Sequence, residues 1–113
     1  MKYWSCVISK LPAQAMAIYP LMLFKNKKLL NNQTIIRHEE IHFKQQLELL
    51  IVLFYPLYLL NYLINLVVYK NHHKAYFNIS FEREAYANDK NPGYLNIRRS
   101  YAWLKFIGKV RLS

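Results

Sequence analysis

The first strongly apolar segment of the chain predicts a β-strand. Residues 15–24, AMAIYPLMLF, are all apolar or aromatic apart from the interruption at Pro20. Because proline cannot donate a ladder hydrogen bond, the segment is expected to form a strand at the edge of a sheet. A basic and polar run follows it, so residues 15–30 are predicted to form a strand and a turn.

The pattern then changes to the period of a helix. Apolar side chains recur at helical spacing along one face: Ile36, Phe43, Leu47 and Leu50. This spacing predicts an amphipathic helix over residues 33–55. Asn31, Asn32 and Thr34 are all plausible N-caps for it. Pro56 is expected to end or kink it because proline lacks the N–H that a helix interior uses.

An uncharged segment follows, and it allows two interpretations. Residues 49–69 contain no charged side chain over 21 positions, and a helix is predicted over residues 57–70. A helix that spans a bilayer needs about 20 apolar residues, but Pro56, Asn61 and Asn65 argue against a simple span. The segment is therefore either a buried helical hairpin or a helix embedded in, or lying on, a membrane.

The last third of the chain predicts two more helices. A helical pattern that starts near Ser80 is expected to cover residues 79–90, and NPG at positions 91–93 forms the turn that ends it. Residues 94–108 again show helical spacing and predict a C-terminal helix. A chain of 113 residues favours one domain over residues 1–113. The fold class expected is mainly α with a small N-terminal β element (α+β).

Composition limits the partners that the protein can bind. Sixteen Lys and Arg residues against six Asp and Glu give a formal net charge of +10. This charge favours an anionic partner, which can be nucleic acid, an acidic membrane surface or an acidic substrate; the alternative is a lysine-rich surface that only contacts solvent. No nucleic-acid-binding motif stands out, so no specific nucleic acid is expected. Cys6 is the only cysteine, which excludes an intramolecular disulfide and a cysteine-rich metal site. Lys10 and Pro12 break the N-terminal apolar run, so there is no clear signal peptide and we expect a cytoplasmic or inner-membrane-associated protein.

Residues 38–42, HEEIH, carry the most specific chemistry in the sequence. On a helix, His38 and His42 lie four residues apart on one face, where both imidazoles can point at one zinc ion. Glu39 lies about 100° round the helix from His38, beside the ion rather than on it. A carboxylate there can take a proton from a water whose pKa zinc lowers towards about 7. The alternative is a surface helix with two exposed histidines, because a five-residue motif is short.

A catalytic zinc site also needs a third protein ligand. The candidates in the second half of the chain are Glu82, Glu84, Asp89 and the pair His72-His73. The segment FEREAYAND is the better source, because it is predicted to be helical and to return after the apolar hairpin. Glu82 and Glu84 are two residues apart and point to different sides of a helix, so only one can be the ligand. HEEIH and FEREAYAND together hold five of the six acidic residues, which favours a cation site in so basic a protein.

HEEIH together with FEREAYA resembles the gluzincin type of zinc metallopeptidase, which uses HExxH on one helix and a glutamate from a second. The chain is also similar to small Bacteroidetes proteins with RHEEIH and FEREAYAN motifs. The resemblance implies one Zn²⁺ ion held by His38, His42 and Glu82. Glu84 is the reserve for the third ligand, Glu39 is the general base, and a peptide or protein is the substrate. It further implies a minimal zincin-like architecture, with the HExxH helix packed against the glutamate-bearing helix.

Three further residues are candidates for substrate binding or for orienting a ligand histidine: Gln45, Tyr86 and Asp89. Tyr86 stands where members of the family often carry Asp or Asn to hydrogen-bond a ligand histidine, and Asn88 and Asp89 are the candidates to replace it. A zinc-dependent peptidase is the favoured function, and a free strand edge beside the metal helix would suit an extended substrate. The alternatives are a non-catalytic zinc-stabilised module, membrane-associated or sensory, and a basic membrane-surface protein in which HEEIH is incidental.

Overall fold

The N-terminal segment forms a three-stranded sheet in the computed structural model, which describes residues 2–107. The strands are β1 (Trp4–Val7), β2 (Ala15–Ile18) and β3 (Leu21–Phe24). Their spatial order is β1-β3-β2, with β1 parallel and β2 antiparallel to the central strand. The single strand predicted over residues 15–24 is thus two strands, because Pro20 lies in the tight turn between them rather than in a ladder. β2 is an edge strand, and β1 was not predicted.

Helices make up most of the remaining described chain, so the α+β prediction is confirmed. The α-helices are α1 (Gln33–Glu48), α2 (Phe54–Tyr69), α3 (His72–Phe77), α4 (Ser80–Asn88) and α5 (Tyr94–Ile97). Short 3-10 helices cover Lys27–Asn31 and Ala102–Phe106. The first of them replaces the predicted turn before α1, and α3 occupies a segment in which no helix was expected.

The helix predicted over residues 33–55 ends seven residues earlier, at Glu48. Leu50 and Ile51 have positive φ angles of 56° and 66°, and this left-handed backbone stops the helix before the proline is reached. Pro56 instead lies in the first turn of α2, where its missing N–H has no acceptor inside the helix and therefore costs little. The proline therefore belongs to the start of one helix and does not end the other.

The prediction of one C-terminal helix over residues 94–108 is wrong. α5 is four residues long, and the backbone becomes extended at Arg98. The guanidinium of Arg98 donates to Glu48 at 2.8 Å and to Glu84 at 2.6 Å, and these charged contacts hold the chain away from a helical path. Residue 108 lies outside the described residues.

One apolar cluster packs α1 on the sheet, and a second packs α4 on α2. Met22 and Phe24 of β3 pack on Phe43 of α1. The second cluster joins α2, α4 and the C-terminal segment through Phe54, Ile79, Phe81 and Trp103. α1 contacts both β2 and α4, so the HExxH helix packs against the glutamate-bearing helix, as expected. None of the helices within residues 2–107 has both the length and the apolar character needed to cross a membrane.

Candidate metal centre

Three buried side chains from α1 and α4 converge on one point. His38 and His42 lie one turn apart on the face of α1 that packs against α4, and Glu82 lies in the first turn of α4. The Nε2 atoms of His38 and His42 lie 3.0 Å and 3.1 Å from the same oxygen, Glu82 Oε1. Each of the three residues is at least nine-tenths buried. This His-His-Glu group can hold a metal ion.

Asp89 and Gln45 contact the other nitrogen of each histidine. Asp89 Oδ2 lies 3.0 Å from His38 Nδ1, and Gln45 Oε1 lies 2.7 Å from His42 Nδ1. Asp89 and Gln45 are themselves buried. Both therefore orient the ring of a histidine, the role expected of the partner of a metal-ligating imidazole.

The hydrogen-bond network of Gln45 fixes which nitrogen of His42 carries a proton. The Gln45 amide nitrogen donates to the carbonyl oxygen of Phe81 and to Glu84 Oε1, both at 2.9 Å. Neither atom can donate in return, so the amide oxygen of Gln45 must face His42 and accept a hydrogen bond from Nδ1–H. The carboxylate of Asp89 accepts from Nδ1–H of His38 in the same way.

The centre therefore stabilises positive charge. Once both Nδ1 atoms donate outwards, the Nε2 lone pairs of two neutral imidazoles and one carboxylate oxygen of Glu82 face one another. The second oxygen, Oε2, accepts a hydrogen bond from the hydroxyl of Tyr58 at 2.6 Å. Three electron-pair donors cannot share this space unless a proton or a metal ion lies between them.

The pKa values of the cluster follow the same logic. Burial alone would lower the pKa of His42, but the adjacent carboxylate of Glu82 outweighs burial and raises that pKa to about 9. Burial alone would raise the pKa of Glu82, but the charge of His42 and the hydrogen bond from His38 hold it well below its usual range. A metal cation would take the place of the protons that these residues share.

The donor set and its spacing fit zinc. Two imidazole nitrogens and one carboxylate oxygen form a donor set found in catalytic zinc sites, which leave a fourth position open. Zinc–ligand bonds of about 2.0–2.1 Å give a tetrahedron whose edges measure roughly 3.3 Å. The two nitrogen–oxygen distances of 3.0 Å and 3.1 Å are a few tenths of an ångström shorter, so only a small outward shift of the ligands is required.

Glu39 lies beside this cluster and is not part of it. Its side chain lines the same cavity as His38 and His42, and the residue is 7% exposed. Within residues 2–107 its carboxylate has no hydrogen-bonding partner. Burial raises the pKa of Glu39, and the two histidines reverse only part of that effect. The structure therefore presents a carboxylate that can accept a proton inside the cavity.

The cavity over the cluster has a volume of about 470 Å³ and a mostly apolar lining. The edge strand β2 lines this cavity together with residues of α2 and α3: Phe54, Tyr55, Tyr58 and Tyr76. Gln46 of α1 holds β2 against that helix, because its amide donates to the carbonyl oxygen of Ala17 and accepts from the N–H of Tyr19. An edge strand thus lies along a cleft that holds the candidate metal centre.

Two of the candidate residues lie outside the His-His-Glu group. Glu84, the reserve ligand, is fully buried and accepts hydrogen bonds from Gln45, Tyr94 and Arg98, away from the His-His-Glu group. Tyr86 is 42% exposed, and its hydroxyl lies 3.0 Å from that of Tyr76, while its ring packs edge-on against His38. Neither residue belongs to the three that can hold the ion.

Three residues that shape the site were not among the candidates from the sequence: Tyr58, Tyr76 and Gln46. Tyr58 and Tyr76 are two of the ten tyrosines in the chain, and no local pattern distinguishes them. Gln46 follows the candidate Gln45, but only the packing of β2 against α1 gives it a role. The pair His72-His73 does not reach the cluster, and His72 contacts Tyr62 instead.

No protein-family model, curated protein or solved structure matches the chain. The geometry of the His-His-Glu group, the carboxylate of Glu39 and the cleft above them therefore carry the functional argument.

Proposed function

We propose that the protein is a zinc-dependent hydrolase that cleaves peptide bonds, with His38, His42 and Glu82 as the zinc ligands and Glu39 as the general base. The observation that carries this proposal is the pairing of two features within one cavity. One is a group of three inward-facing electron-pair donors that needs a cation. The other is a buried carboxylate with no partner of its own.

The proposed role of each residue follows from its environment. Zinc, when bound, would supply a Lewis acid and lower the pKa of a nearby water towards about 7. The carboxylate of Glu39 would take a proton from that water. Because burial raises its pKa, Glu39 can hold the proton and then give it to the nitrogen of the departing amine. Asp89 and Gln45 keep the Nε2 atoms of the two histidines free to bind the ion.

The lining of the cleft supports a peptide as the substrate. β2 pairs with β3 along one edge, and all four of its residues line the cavity. An extended peptide can add through backbone hydrogen bonds to the part of this edge before Ala17, because Gln46 already bonds the Ala17 carbonyl and the Tyr19 N–H. The mainly apolar walls formed by Phe54, Tyr55 and Tyr58 favour an apolar or aromatic side chain in the cavity.

The test is the Glu39→Gln substitution, which preserves size while removing the proton-accepting charge. We expect about one zinc per chain by mass spectrometry for both the wild type and this variant. The rate of cleavage of a fluorogenic peptide mixture should fall by about 10²- to 10⁴-fold. Glu40→Gln is the matched control, since Glu40 is the next residue on α1, loses the same charge and lines neither of the cavities at the site.

Two results would contradict the proposal. If zinc binds and no peptide is cleaved by the wild type, the centre is a structural one in a non-catalytic module, as the alternative from the sequence holds. If Glu39→Gln cleaves as fast as Glu40→Gln, then Glu39 is not the base.

A further inference from the structure

α2 turns its polar side chains towards the protein. Asn61 accepts a hydrogen bond from the backbone N–H of Ser80 at 2.9 Å, and Asn65 donates to the carbonyl oxygen of Ala75 at 3.0 Å. Tyr58, on the same side, donates to Glu82 in the metal centre. The polar groups of this helix are therefore used for internal contacts with α3 and α4.

The opposite face of α2 is apolar and exposed. Its residues, with Leu53 directly before the helix, recur at helical spacing, and each is 40–75% exposed: Leu53, Leu57, Leu60, Ile64 and Val67. Leu59, Leu63 and Val68 flank this stripe and are exposed to a similar degree. Within α2 only Phe54 is buried. This arrangement is the reverse of that in an ordinary surface helix, and a continuous apolar patch of this kind marks an interaction surface.

The charges exposed on the rest of the protein have one sign. All six acidic residues of the chain are buried or half-buried, and every exposed charged side chain within residues 2–107 is a lysine or an arginine. Lys70 directly follows α2, and Lys74 lies on α3, which packs against α2. The apolar face thus belongs to a surface that repels cations and attracts anions.

We propose that the outward face of α2 docks on the surface of an anionic lipid bilayer, with the helix lying along the interface. Anionic headgroups attract a basic protein, whereas a second copy of this chain would bring like charges together. A helix of 16 residues is about 24 Å long. Its apolar face would sink about 5–10 Å into the boundary between headgroups and acyl chains.

Vesicle co-sedimentation tests the proposal, with phosphatidylcholine mixed with phosphatidylglycerol compared with phosphatidylcholine alone. The lipid-face variant replaces Leu60, Ile64 and Val67 with glutamine, at positions that are all more than half exposed. A matched control replaces exposed apolar residues away from α2, in the changes Ile8→Gln, Ile97→Gln and Leu104→Gln. We expect binding to the mixed vesicles that weakens with salt, falls about a hundredfold in the lipid-face variant and persists in the control.

A second variant, Lys70→Gln with Lys74→Gln, keeps the test decisive if the first does not fold, as judged by circular dichroism. It should weaken binding to mixed vesicles by about fivefold per lysine and leave binding to neutral vesicles unchanged. Absence of binding to mixed vesicles, or equal loss in the control, would overturn the proposal. So would a wild-type dimer in light scattering that the lipid-face variant dissociates while no vesicle is bound. Binding to vesicles does not require hydrolysis, so it is decided separately from the enzymatic proposal.

Discussion

Asp89 allows the sharpest test of how the candidate metal centre is organised. The residue is 5% exposed, and its carboxylate accepts the hydrogen bond from His38 Nδ1 at 3.0 Å. Its backbone carbonyl separately accepts from Arg37 at 2.6 Å, a contact that a side-chain substitution leaves in place. Asp89→Asn therefore removes the charge behind one ligand histidine and changes little else in shape.

The expected size of the effect follows from the kind of hydrogen bond that is lost. A hydrogen bond to a charged group contributes about 1.5–3 kcal/mol, and a neutral one about 0.5–1.5 kcal/mol. The difference of about 1–2 kcal/mol corresponds to roughly a five- to thirtyfold loss of zinc affinity. This agrees with the tenfold to hundredfold losses typical when the outer partner of a metal ligand is changed.

Zinc affinity is measured by competition with a chromophoric chelator, for the wild type, Asp89→Asn and Glu40→Gln. Glu40→Gln removes the same charge from the chain at a half-buried position outside the cluster, so it controls for the general loss of negative charge. We expect zinc affinity to fall in Asp89→Asn and to stay unchanged in Glu40→Gln. Unchanged affinity in that variant, or equal weakening in Glu40→Gln, would refute the argument that Asp89 acts through His38.

Three other outcomes are expected. Glu82→Gln should abolish stoichiometric zinc in mass spectrometry, whereas Glu84→Gln should retain zinc but lower the melting temperature. The raised pKa of His42 stabilises the metal-free protein below pH 6.5, and this contribution is lost as the pH rises through about 9. In chelator, denaturant titrations should therefore show an unfolding free energy that falls by up to about 3 kcal/mol across that window, and a constant value would count against the buried pairing with Glu82. Arg98→Met should lower the unfolding free energy by about 3–5 kcal/mol in urea titrations, since it leaves the carboxylates of Glu84 and Glu48 without their cation; a loss below about 1 kcal/mol would contradict this account.

The local part of the centre was predictable because it depends on helical periodicity alone. The four-residue spacing puts His38 and His42 on one face of α1. Glu39 directly follows His38 in the chain and therefore lies beside them. The choice of Glu82 over Glu84 came from resemblance and not from spacing, because the register of a short helix decides it. The structure supplies that register through the packing of α4 on α1.

The remaining features depend on contacts between distant parts of the chain. α1 ends where it does because Leu50 and Ile51, just after Glu48, have left-handed backbone. α5 is short because Arg98 contacts Glu48, which lies 50 residues earlier in the chain. Local hydrophobic spacing carries no information about such pairs. Gln45 was a candidate for substrate binding or for orienting a ligand histidine, and only its simultaneous contacts with His42 and Glu84 in the structure distinguish the two roles. The outward apolar face of α2 could not be told from a buried face by periodicity, because both give the same pattern.

The hydrogen bonds of Gln45 affect how the protein unfolds. Its amide contacts His42 on one side and Glu84 on the other, and Glu84 shares Arg98 with Glu48. The carboxylate of Glu48 in turn holds the indole of Trp103. One hydrogen-bonded chain therefore runs from the histidine to the C-terminal segment, without a break. Disruption of the His-His-Glu group and detachment of the segment around Trp103 would each weaken the other, so the two should open as one cooperative unit.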